Sequence, residues 1–394
     1  MATNTSGMER LVLSTLADIY SSGPDDLFET AFRDMSAALG NQETLQIGAS
    51  ASMTVNEATS GTAATSTPSF MDLENNKVLS MFITIPQLSQ AQYLGGGAQV
   101  SFNASGVPGN PYVQGTLRDA LLQMLKRRST LADLYLRQKA WTSAAATYYN
   151  NVEGDTLTEA DVESSIAELE LLDGEHDIAI YVNPFGHAAL KVIPGYQPMP
   201  AGGAVGMQVG SINGYPVFRS NAIARGIPPG WTAVGTAPSG AVATAQVATV
   251  ASSSSGTYTF TLPSASVDGA TVNAGGFVLG ERVYAPSIDN PISEANAGLT
   301  TTATATSVVT AYGAASDGDE LTAGTYAGIV ASAGIKNFVV DRAHLFRSTQ
   351  MQPTFRIIPR GTGYTDDELQ ITMRFGMVAR SGRVRVLVTP KSVL

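Results

Sequence analysis

The sequence predicts an α+β fold in which helices and strands occupy separate stretches of the chain. A helical apolar pattern runs from Val113 to about Ala145. Strict two-residue alternation of apolar and polar side chains, which is typical of half-buried strands, begins at Leu369 near the end of the chain. Between them, residues 229–335 are rich in small side chains and contain only short strand candidates. Segregated helical and strand patterns favour α+β over an alternating α/β fold.

The composition favours a protein whose surface is covered by copies of itself. Of 394 residues, 44% are hydrophobic but only 14% are charged, well below the usual quarter or so. A surface poor in charge is typical of an association surface. The chain has no cysteine, which excludes disulfides, thiolate zinc sites and cysteine nucleophiles.

Net charge and hydropathy exclude two further classes of protein. The net charge of −10 argues against a dedicated nucleic-acid binder, since phosphate neutralisation supplies most of such affinity. The first ten residues lack the basic and apolar regions of a signal peptide, and no apolar run approaches the roughly 18 residues of a membrane span. We therefore expect a cytoplasmic product with no membrane partner.

The first 112 residues read as an arm followed by an extended loop. Residues 1–44 contain two amphipathic patterns: a helix from Met8 to Tyr20, and a second with its apolar stripe on Leu27–Leu39, ended by Gly40. Residues 45–112 are polar, with a strand at Met81–Ile85 that a turn at Asn75-Asn76 would pair with the preceding strand. The glycine triplet at 95–97 lacks the strand-to-helix context of a phosphate-binding loop.

The long helix from Val113 carries many basic residues. They lie away from its apolar stripe and are Arg118, Lys126, Arg127, Arg128, Arg137 and Lys139. Two interpretations are open: an ordinary solvated face, which is the commoner case, or a basic rail that faces nucleic acid or an acidic neighbour.

Residues 151–228 predict a compact α+β unit. Thr158 and Asp161 form a capping box at the start of a helix that Gly174 ends. A buried strand at Ile178–Val182 runs into Asn183-Pro184, an N-cap followed by proline at the first helical position. Asn213-Gly214 between apolar stretches predicts a hairpin with a type I′ turn, and Pro216 would place its second strand at a sheet edge.

The remaining chain predicts strands. Residues 229–335 form a β-rich insertion with a strand at Thr257–Leu262, and its modest core would be Phe260, Phe277, Val278 and Tyr284. After it, Leu369, Ile371, Met373 and Phe375 alternate with polar residues, Ser381-Gly382 turns the chain, and Val384, Val386 and Val388 continue the alternation. This pattern predicts a long antiparallel hairpin at the C-terminus.

No residue pattern indicates catalysis. The three histidines, His176, His187 and His344, do not form a spaced metal-binding pair, and the carboxylates of Asp366, Asp367 and Glu368 are expected to end a turn before a strand. Motifs of hydrolases, nucleotide-binding loops and zinc helices do not occur. We therefore predict a protein that is not an enzyme, with no catalytic, cofactor or metal site.

The order of these elements resembles the major capsid (coat) protein family of tailed bacteriophages, which has the Hong Kong 97 type of shell fold. Ile212–Ser220 (INGYPVFRS) is similar to a G-x-P-V-x-x-S hairpin of many coat proteins. Tyr364–Leu369, Arg374–Gly376 and Ala379–Val384 resemble the family's closing strand pair. The insertion is additional to the minimal plan and resembles the accessory domain of podovirus-type coat proteins.

The resemblance implies an α+β phage capsid shell fold with axial and peripheral domains. Its parts would be an N-terminal arm (1–44), an extended β loop (45–112), a spine helix and peripheral domain (113–150), an axial domain (151–228), a β-rich insertion domain (229–335) and the return strands of the peripheral domain (336–394). Some relatives cross-link chains through a lysine and an asparagine; Lys77 lies in the extended loop, but no pattern identifies a partner for it.

The function implied is self-assembly into pentamers and hexamers of an icosahedral virion shell that encloses double-stranded DNA. Expected partners are the chain itself, scaffolding, portal and decoration proteins, and DNA by non-specific contact, with assembly in the host cytoplasm. Three alternatives stay open: an encapsulin-like compartment with the same fold, a secreted β-rich surface adhesin, and an enzyme with a dispersed active site.

Overall fold

The computed structural model describes a little over half of the chain. The described residues are 26–40, 44–52, 67–74, 76–86, 111–140, 149–150, 157–199, 207–223, 244–247, 249–252, 257–261, 264–267, 270–273, 282–284, 298–303, 307–311, 328–332, 335–358, 366–380 and 382–389. The helices are α1 (Leu27–Ala31), α2 (Ser36–Leu39), α3 (Pro111–Ala140), α4 (Glu159–Glu170) and α5 (Pro184–Leu190), with a 3-10 turn at Arg342–His344.

Twenty-two strands complete the element order. They are β1 (Arg33–Asp34), β2 (Thr44–Ser52), β3 (Thr67–Glu74), β4 (Lys77–Pro86), β5 (Tyr149–Asn150), β6 (Ile178–Val182), β7 (Tyr196–Pro198), β8 (Gln208–Ile212), β9 (Tyr215–Arg219), β10 (Thr244–Val247), β11 (Thr249–Ser252), β12 (Thr257–Thr261), β13 (Ser264–Val267), β14 (Ala270–Asn273), β15 (Arg282–Tyr284), β16 (Gly298–Ala303), β17 (Ser307–Ala311), β18 (Gly328–Ser332), β19 (Ile335–Asp341), β20 (Leu345–Ile358), β21 (Asp366–Ala379) and β22 (Val384–Thr389).

Two sheets form the body of the protein. One has four strands in the order β1-β20-β21-β4, and the other has seven in the order β5-β22-β19-β6-β9-β8-β7. Most pairs are antiparallel, but β1–β20, β5–β22 and β6–β9 are parallel. Sheets of mixed direction with helices grouped between them confirm the α+β prediction.

The long helix α3 packs on the four-stranded sheet. Its apolar stripe, including Leu121, Met124 and Leu136, is buried against α1 and β4 and contacts β22. The alternation predicted for β21 is also confirmed, because Ile371, Met373 and Phe375 are fully buried in this same core. The apolar pattern of each of these two elements therefore correctly predicted which of its faces is buried.

The second core lies between α4 and the seven-stranded sheet. Val162, Ile166 and Leu169 of α4 pack against β6, all five residues of which are buried. Both predicted caps are confirmed: Thr158 and Asp161 form a capping box, and Asn183 Oδ1 accepts from the Gly186 N–H at 2.7 Å. The apolar patterns and the helix caps of this unit indicate the same elements, so the sequence predicts its helices and strands correctly.

The insertion is β-rich, as predicted. It contains a seven-stranded sheet in the order β10-β18-β15-β16-β17-β12-β11 and a separate hairpin, β13–β14, that contacts α3. The strand predicted at Thr257–Leu262 is β12. The four side chains predicted as its core lie outside the described part of the chain.

The arm departs from its prediction of a single second helix. The stripe Leu27–Leu39 is divided into α1 and α2 by β1, which pairs with β20. Asp34 stabilises this break by accepting hydrogen bonds from the Ser36 N–H at 2.9 Å and the Ser36 hydroxyl at 2.6 Å. The helix predicted at Met8–Tyr20 and the glycine triplet at 95–97 lie outside the described residues.

Two predicted hairpins are wrong. A turn at Asn75-Asn76 does not pair β3 with β4, since β3 pairs with β2 and β4 pairs with β21. The strands flanking Ser381-Gly382 also separate: β21 joins the four-stranded sheet, while β22 lies between β19 and β5 in the other. The short connection at Gly382 crosses between sheets rather than closing a hairpin.

Two smaller predictions also need correction. Pro216 lies in an interior strand, since β9 is flanked by β6 and β8; it stands opposite Ser211 of β8, and pairing with β6 begins only at Val217. The carboxylates of Asp366–Glu368 begin β21 rather than ending a turn. The predicted hairpin itself is confirmed: Asn213 and Gly214 have φ of 49° and 92°.

The division into six domains stays a prediction. Within the described residues, β19 and β22 share a sheet with β6, β8 and β9, so strands of the return segment belong structurally with the predicted axial unit. No described helix has both the length and the apolar character needed to cross a membrane.

Candidate assembly surfaces

The strand β4 forms one end of the four-stranded sheet. Its alternate residues face opposite ways: Leu79 and Met81 pack on the core beneath α3, whereas Val78 and Phe82 are 53% and 57% exposed. Opposite them on β21 lie Arg374 and Gln370. Among the described strands, β4 pairs on one side only. An unpaired edge with exposed apolar side chains is a template for another chain.

A second feature of this region is the ribbon formed by β2 and β3. The two strands pair with each other from Thr44↔Glu74 to Ser52↔Thr67. Leu73 is fully buried, and β3 contacts β20 and β21, so one end of the ribbon is fixed to the sheet. A two-stranded ribbon is marginally stable by itself. Contacts of β3 with β20 and β21, and of α2 with β2, therefore stabilise the ribbon.

The first described helix is locked to α3 by buried charges. Asp26 accepts from the Ser129 hydroxyl at 2.9 Å and forms an ion pair with Arg128. Arg128 also pairs with Glu29 at 2.9 Å, and Glu29 pairs with Arg347 on β20. Burial raises the pKa of Glu29, and the two arginines oppose that rise. One network of ion pairs thus connects α1 to α3 and to β20 of the four-stranded sheet.

This network overturns the continuous basic face that the sequence predicted on α3. Arg118, Lys126 and Arg127 are exposed, but Arg128, Arg137 and Lys139 are buried. Arg137 pairs with Asp133 at 2.9 Å, one turn earlier on the same helix. The exposed basic residues of α3 therefore end at Arg127, and the later basic residues Arg128, Arg137 and Lys139 lie inside the fold.

A second buried cluster joins the loop after α4 to β19 and β22. The Asp341 carboxylate is fully buried. It forms an ion pair with the Arg383 guanidinium at 2.9 Å, lies 3.1 Å from His176 Nδ1, and accepts a hydrogen bond from the Asp177 N–H at 3.0 Å. His344 stands 3.9 Å from the same carboxylate. Burial lowers the pKa of His344, and Arg383 adds to that effect. The cluster fixes the chain where it passes between the two sheets.

The third histidine has a different environment. His187 on α5 is buried, with Nε2 2.7 Å from the Tyr196 hydroxyl, which in turn donates to the Val209 carbonyl at 3.0 Å. Burial lowers the pKa of His187 to about 4, assisted by the positive charges of Lys191 and Arg219. The imidazole is therefore neutral at physiological pH and acts as a donor to Tyr196.

Sequence patterns did not indicate either buried cluster. Asp26 and Arg128 are 102 residues apart, and Asp341 and Arg383 are 42 apart, so no local spacing could reveal the pairs. All three histidines hold structural contacts, and the described residues contain no cluster of histidine and carboxylate ligands suited to a metal ion. Lys77, named as a possible cross-linking residue, is half-buried at the beginning of β4.

No protein-family model and no curated protein sequence matches this chain. Among solved structures, the chain is similar to a protein of Mycobacterium phage Che8 with 10% identity and a TM-score of 0.46, covering 92% of this chain and 90% of that one. The capsid of the cyanophage P-SCSP1u is similar with 12% identity and a TM-score of 0.42, covering 92% and 88%.

An encapsulin is among the similar structures as well. The holo-SrpI encapsulin complex from Synechococcus elongatus has 8% identity and a TM-score of 0.44, covering 92% of this chain and 86% of that one. The similar structures therefore include a phage capsid and an encapsulin.

Proposed function

We propose that this chain is the major capsid protein of a tailed bacteriophage, which assembles into pentamers and hexamers of an icosahedral head. The observation that carries the proposal is the edge of β4, which has no partner on one side among the described strands and has Val78 and Phe82 exposed above a well-packed core. Soluble monomers usually protect such an edge with charges, proline or a covering segment. In a shell, an identical neighbour covers it.

The ribbon β2–β3 supplies the complementary part. Strand β2 pairs with β3 from Thr44 to Ala49 and again at Ser52, and among the described side chains of the ribbon only Leu73 is fully buried. A ribbon that reaches onto the next subunit would gain further backbone and apolar contact there. Obligate interfaces of this kind bury on the order of 2,000 Å² or more.

The proposed contents of the shell are double-stranded DNA held without tight adhesion. The net charge of −10 limits attraction to phosphate, so packaged DNA could slide along an inner wall. The role is structural rather than catalytic. Scaffolding, portal and decoration proteins complete the proposed set of partners, and the host cytoplasm is the proposed site of assembly.

Electron microscopy and sedimentation of the purified chain test the proposal. We expect closed shells or capsomer rings from the unmodified protein. The double variant Val78→Asp/Phe82→Asp should stay monomeric, because two carboxylates would be buried at the contact. The matched control is Ala160→Asp/Ala188→Asp, which adds two charges at exposed positions on α4 and α5, beside the seven-stranded sheet rather than β4 or the ribbon.

The controls decide how each result is interpreted. Far-UV circular dichroism and thermal unfolding of both variants should match those of the unmodified chain, since all four positions are exposed. A monodisperse monomer of the unmodified chain at every concentration and ionic strength contradicts the proposal. Particles purified from the host should protect double-stranded DNA from nuclease; particles that enclose only protein cargo would favour a compartment shell instead.

A further inference from the structure

One side-chain amide holds the tip of the β8–β9 hairpin against α4. Asn213 donates from Nδ2 to Glu163 Oε1 at 2.7 Å and to Glu159 Oε1 at 3.3 Å. The two glutamates lie one turn apart on α4, a spacing at which like charges destabilise a helix. The shared donor offsets that repulsion because both carboxylates accept from it. The contact therefore depends on the NH2 group of Asn213.

The turn after α5 closes over the same amide. A Cβ atom at Gly195 would lie 2.7 Å from Asn213 Oδ1 and would collide with the Glu159 carboxylate, so a side chain there would have to displace one of them. The Asn213 amide is thus the point at which the hairpin, α4 and this turn meet. The Tyr215 hydroxyl, which donates to Glu170, joins the hairpin to the other end of α4.

The glycine that follows Asn213 makes this amide chemically labile. The backbone nitrogen of Gly214 can attack Asn213 Cγ, since glycine has no side chain to hinder the approach. Both residues are exposed, and a Cβ atom at Gly214 would meet no atom within 4 Å. Gly214 lies in the turn between the paired residues Ile212 and Tyr215, where water has access.

We propose that Asn213 is a deamidation site and that its modification releases the hairpin from α4. The Gly214 nitrogen forms a bond to Asn213 Cγ, and its proton leaves with the side-chain NH2 as ammonia. Water then opens the resulting cyclic imide at one of its two carbonyls, which gives aspartate or isoaspartate. The reaction consumes water, releases ammonia and needs no oxidant or reductant. The inference does not rest on the proposed shell function.

The product cannot form the contact that asparagine forms. A carboxylate accepts hydrogen bonds but does not donate them, so modification would place a third negative charge against Glu159 and Glu163. Charges of the same sign at this distance repel one another. The backbone is not the obstacle, because aspartate tolerates the φ of 49° at position 213. The loss of the amide therefore turns an attraction into a repulsion.

The two glutamates also slow the reaction. Asn213 Cγ can turn towards the Gly214 nitrogen only after the amide leaves both carboxylates, so the reaction requires local opening of the hairpin tip. The fold therefore controls how fast the site is modified.

The rate of modification is the first test. The chain is kept in mildly alkaline buffer, either folded or unfolded by guanidinium chloride, and peptide mass spectrometry measures conversion at Asn213. We expect conversion in the folded chain at a rate about tenfold below that of the unfolded chain. Absence of conversion in the folded chain after the unfolded chain has reacted completely would overturn the proposal.

Removing the two carboxylates tests their role. Glu159→Ala/Glu163→Ala should raise the rate in the folded chain about threefold or more, because the amide is then no longer held. The control Asp173→Ala/Glu175→Ala removes the same charge from exposed positions after α4 and should leave the rate unchanged. Far-UV circular dichroism checks that the variants are folded. Equal rates in the two double variants would mean that the glutamates do not hold the amide.

The variant Asn213→Asp tests the release of the hairpin, since it carries the side chain of the aspartate product. The amides of β8 and β9 should exchange hydrogen about tenfold faster than in the unmodified chain, whereas those of β21 in the other sheet should not change. The triple variant Asn213→Asp/Glu159→Gln/Glu163→Gln exchanges amide and carboxylate groups across the contact. It should return exchange to within about threefold of the unmodified chain.

The exchange data decide the second half of the inference. If Asn213→Asp exchanges as slowly as the unmodified chain, the amide does not hold the hairpin and the proposed release is wrong. If the triple variant exchanges as fast as Asn213→Asp alone, repulsion by the glutamates is not the cause of release, which also overturns it. Neither result depends on whether the chain forms shells.

Discussion

At the scale of single residues, the buried charges and the neutral histidine have the largest consequences. His187 is 6% exposed and hydrogen-bonds to Tyr196. Its imidazole must lose any proton on folding, because burial and the nearby cations disfavour the charged ring. Folding therefore competes with protonation at acidic pH.

The first prediction concerns the pH dependence of stability. The pKa of His187 falls from about 6.5 in the unfolded chain to about 4 in the fold, so its contribution is complete above pH 6.5 and is lost as the pH falls towards 4. Urea unfolding of monomeric protein at pH 7.5 and 4.5 should show a loss from this group of about 2 kcal/mol.

The variant His187→Gln provides the comparison for that measurement. Glutamine keeps a donor for Tyr196 but does not titrate, so the variant should be less stable than the unmodified chain at pH 7.5 and lose less on acidification. Equal losses for the two proteins would mean that His187 does not couple protonation to folding.

At the scale of elements, the anchoring of α1 to α3 is the contact that local patterns misjudged. The sequence pattern placed Arg128 on the basic face of α3, yet the residue is 1% exposed and its guanidinium carbon lies 4.7 Å from the Phe28 ring centroid. The charge of Arg128 is tolerated in the core because Asp26 and Glu29, which belong to the arm, form ion pairs with it. A helical wheel describes one element only and cannot contain that information.

Removing Arg128 should release the arm, which is the second prediction. Arg128→Met keeps the bulk but leaves Asp26 as a buried carboxylate without its cation, while Glu29 keeps only Arg347. Breaking a buried pair in this way costs about 3 to 5 kcal/mol. The control Arg127→Met changes an exposed neighbour and should stay within about 0.5 kcal/mol of the unmodified chain. Denaturant unfolding measures both; similar stabilities would contradict the buried network.

Local signals predicted elements well and strand partners poorly. The caps at Thr158 and Asn183, the fully buried β6 and the Asn213-Gly214 turn each depend on neighbours in sequence, and each is confirmed. By contrast, the partner of β21 across its outer side is β4, hundreds of residues earlier. Alternation selects the buried face of a strand but does not encode the sheet that it joins.

The same limit applied to the candidate surfaces. The apolar segment Met81–Ile85 indicated a strand, and β4 lies at one end of the four-stranded sheet. The sequence could not tell, however, that Met81 faces the core while Phe82 faces outward, because that choice is set by the register with β21. A shift of one residue would exchange the two faces.

At the scale of the whole molecule, the chain combines two buried cores with a sheet edge that has no partner among the described strands. The two cores exclude solvent from β6, β19 and β21, while β4 at the end of the smaller sheet leaves one side without a described partner. Such a division is physically consistent with a protein that folds as a unit and completes its surface on assembly. Backbone amides report this directly, because exchange depends on whether each N–H is bonded.

The third prediction concerns hydrogen exchange in β4. In an antiparallel pair, about half of the amides of an end strand bond to the inner neighbour and the others point outward. We therefore expect alternate amides of Lys77–Pro86 to exchange quickly in dissociated chains and slowly in shells. The amides of β19, which lies between β22 and β6, are the internal control and should exchange slowly in both states.

Slow exchange of all β4 amides in dissociated chains would show that a segment of the same chain already covers the edge. Fast exchange of the outward amides within shells would show that neighbouring subunits associate through another surface.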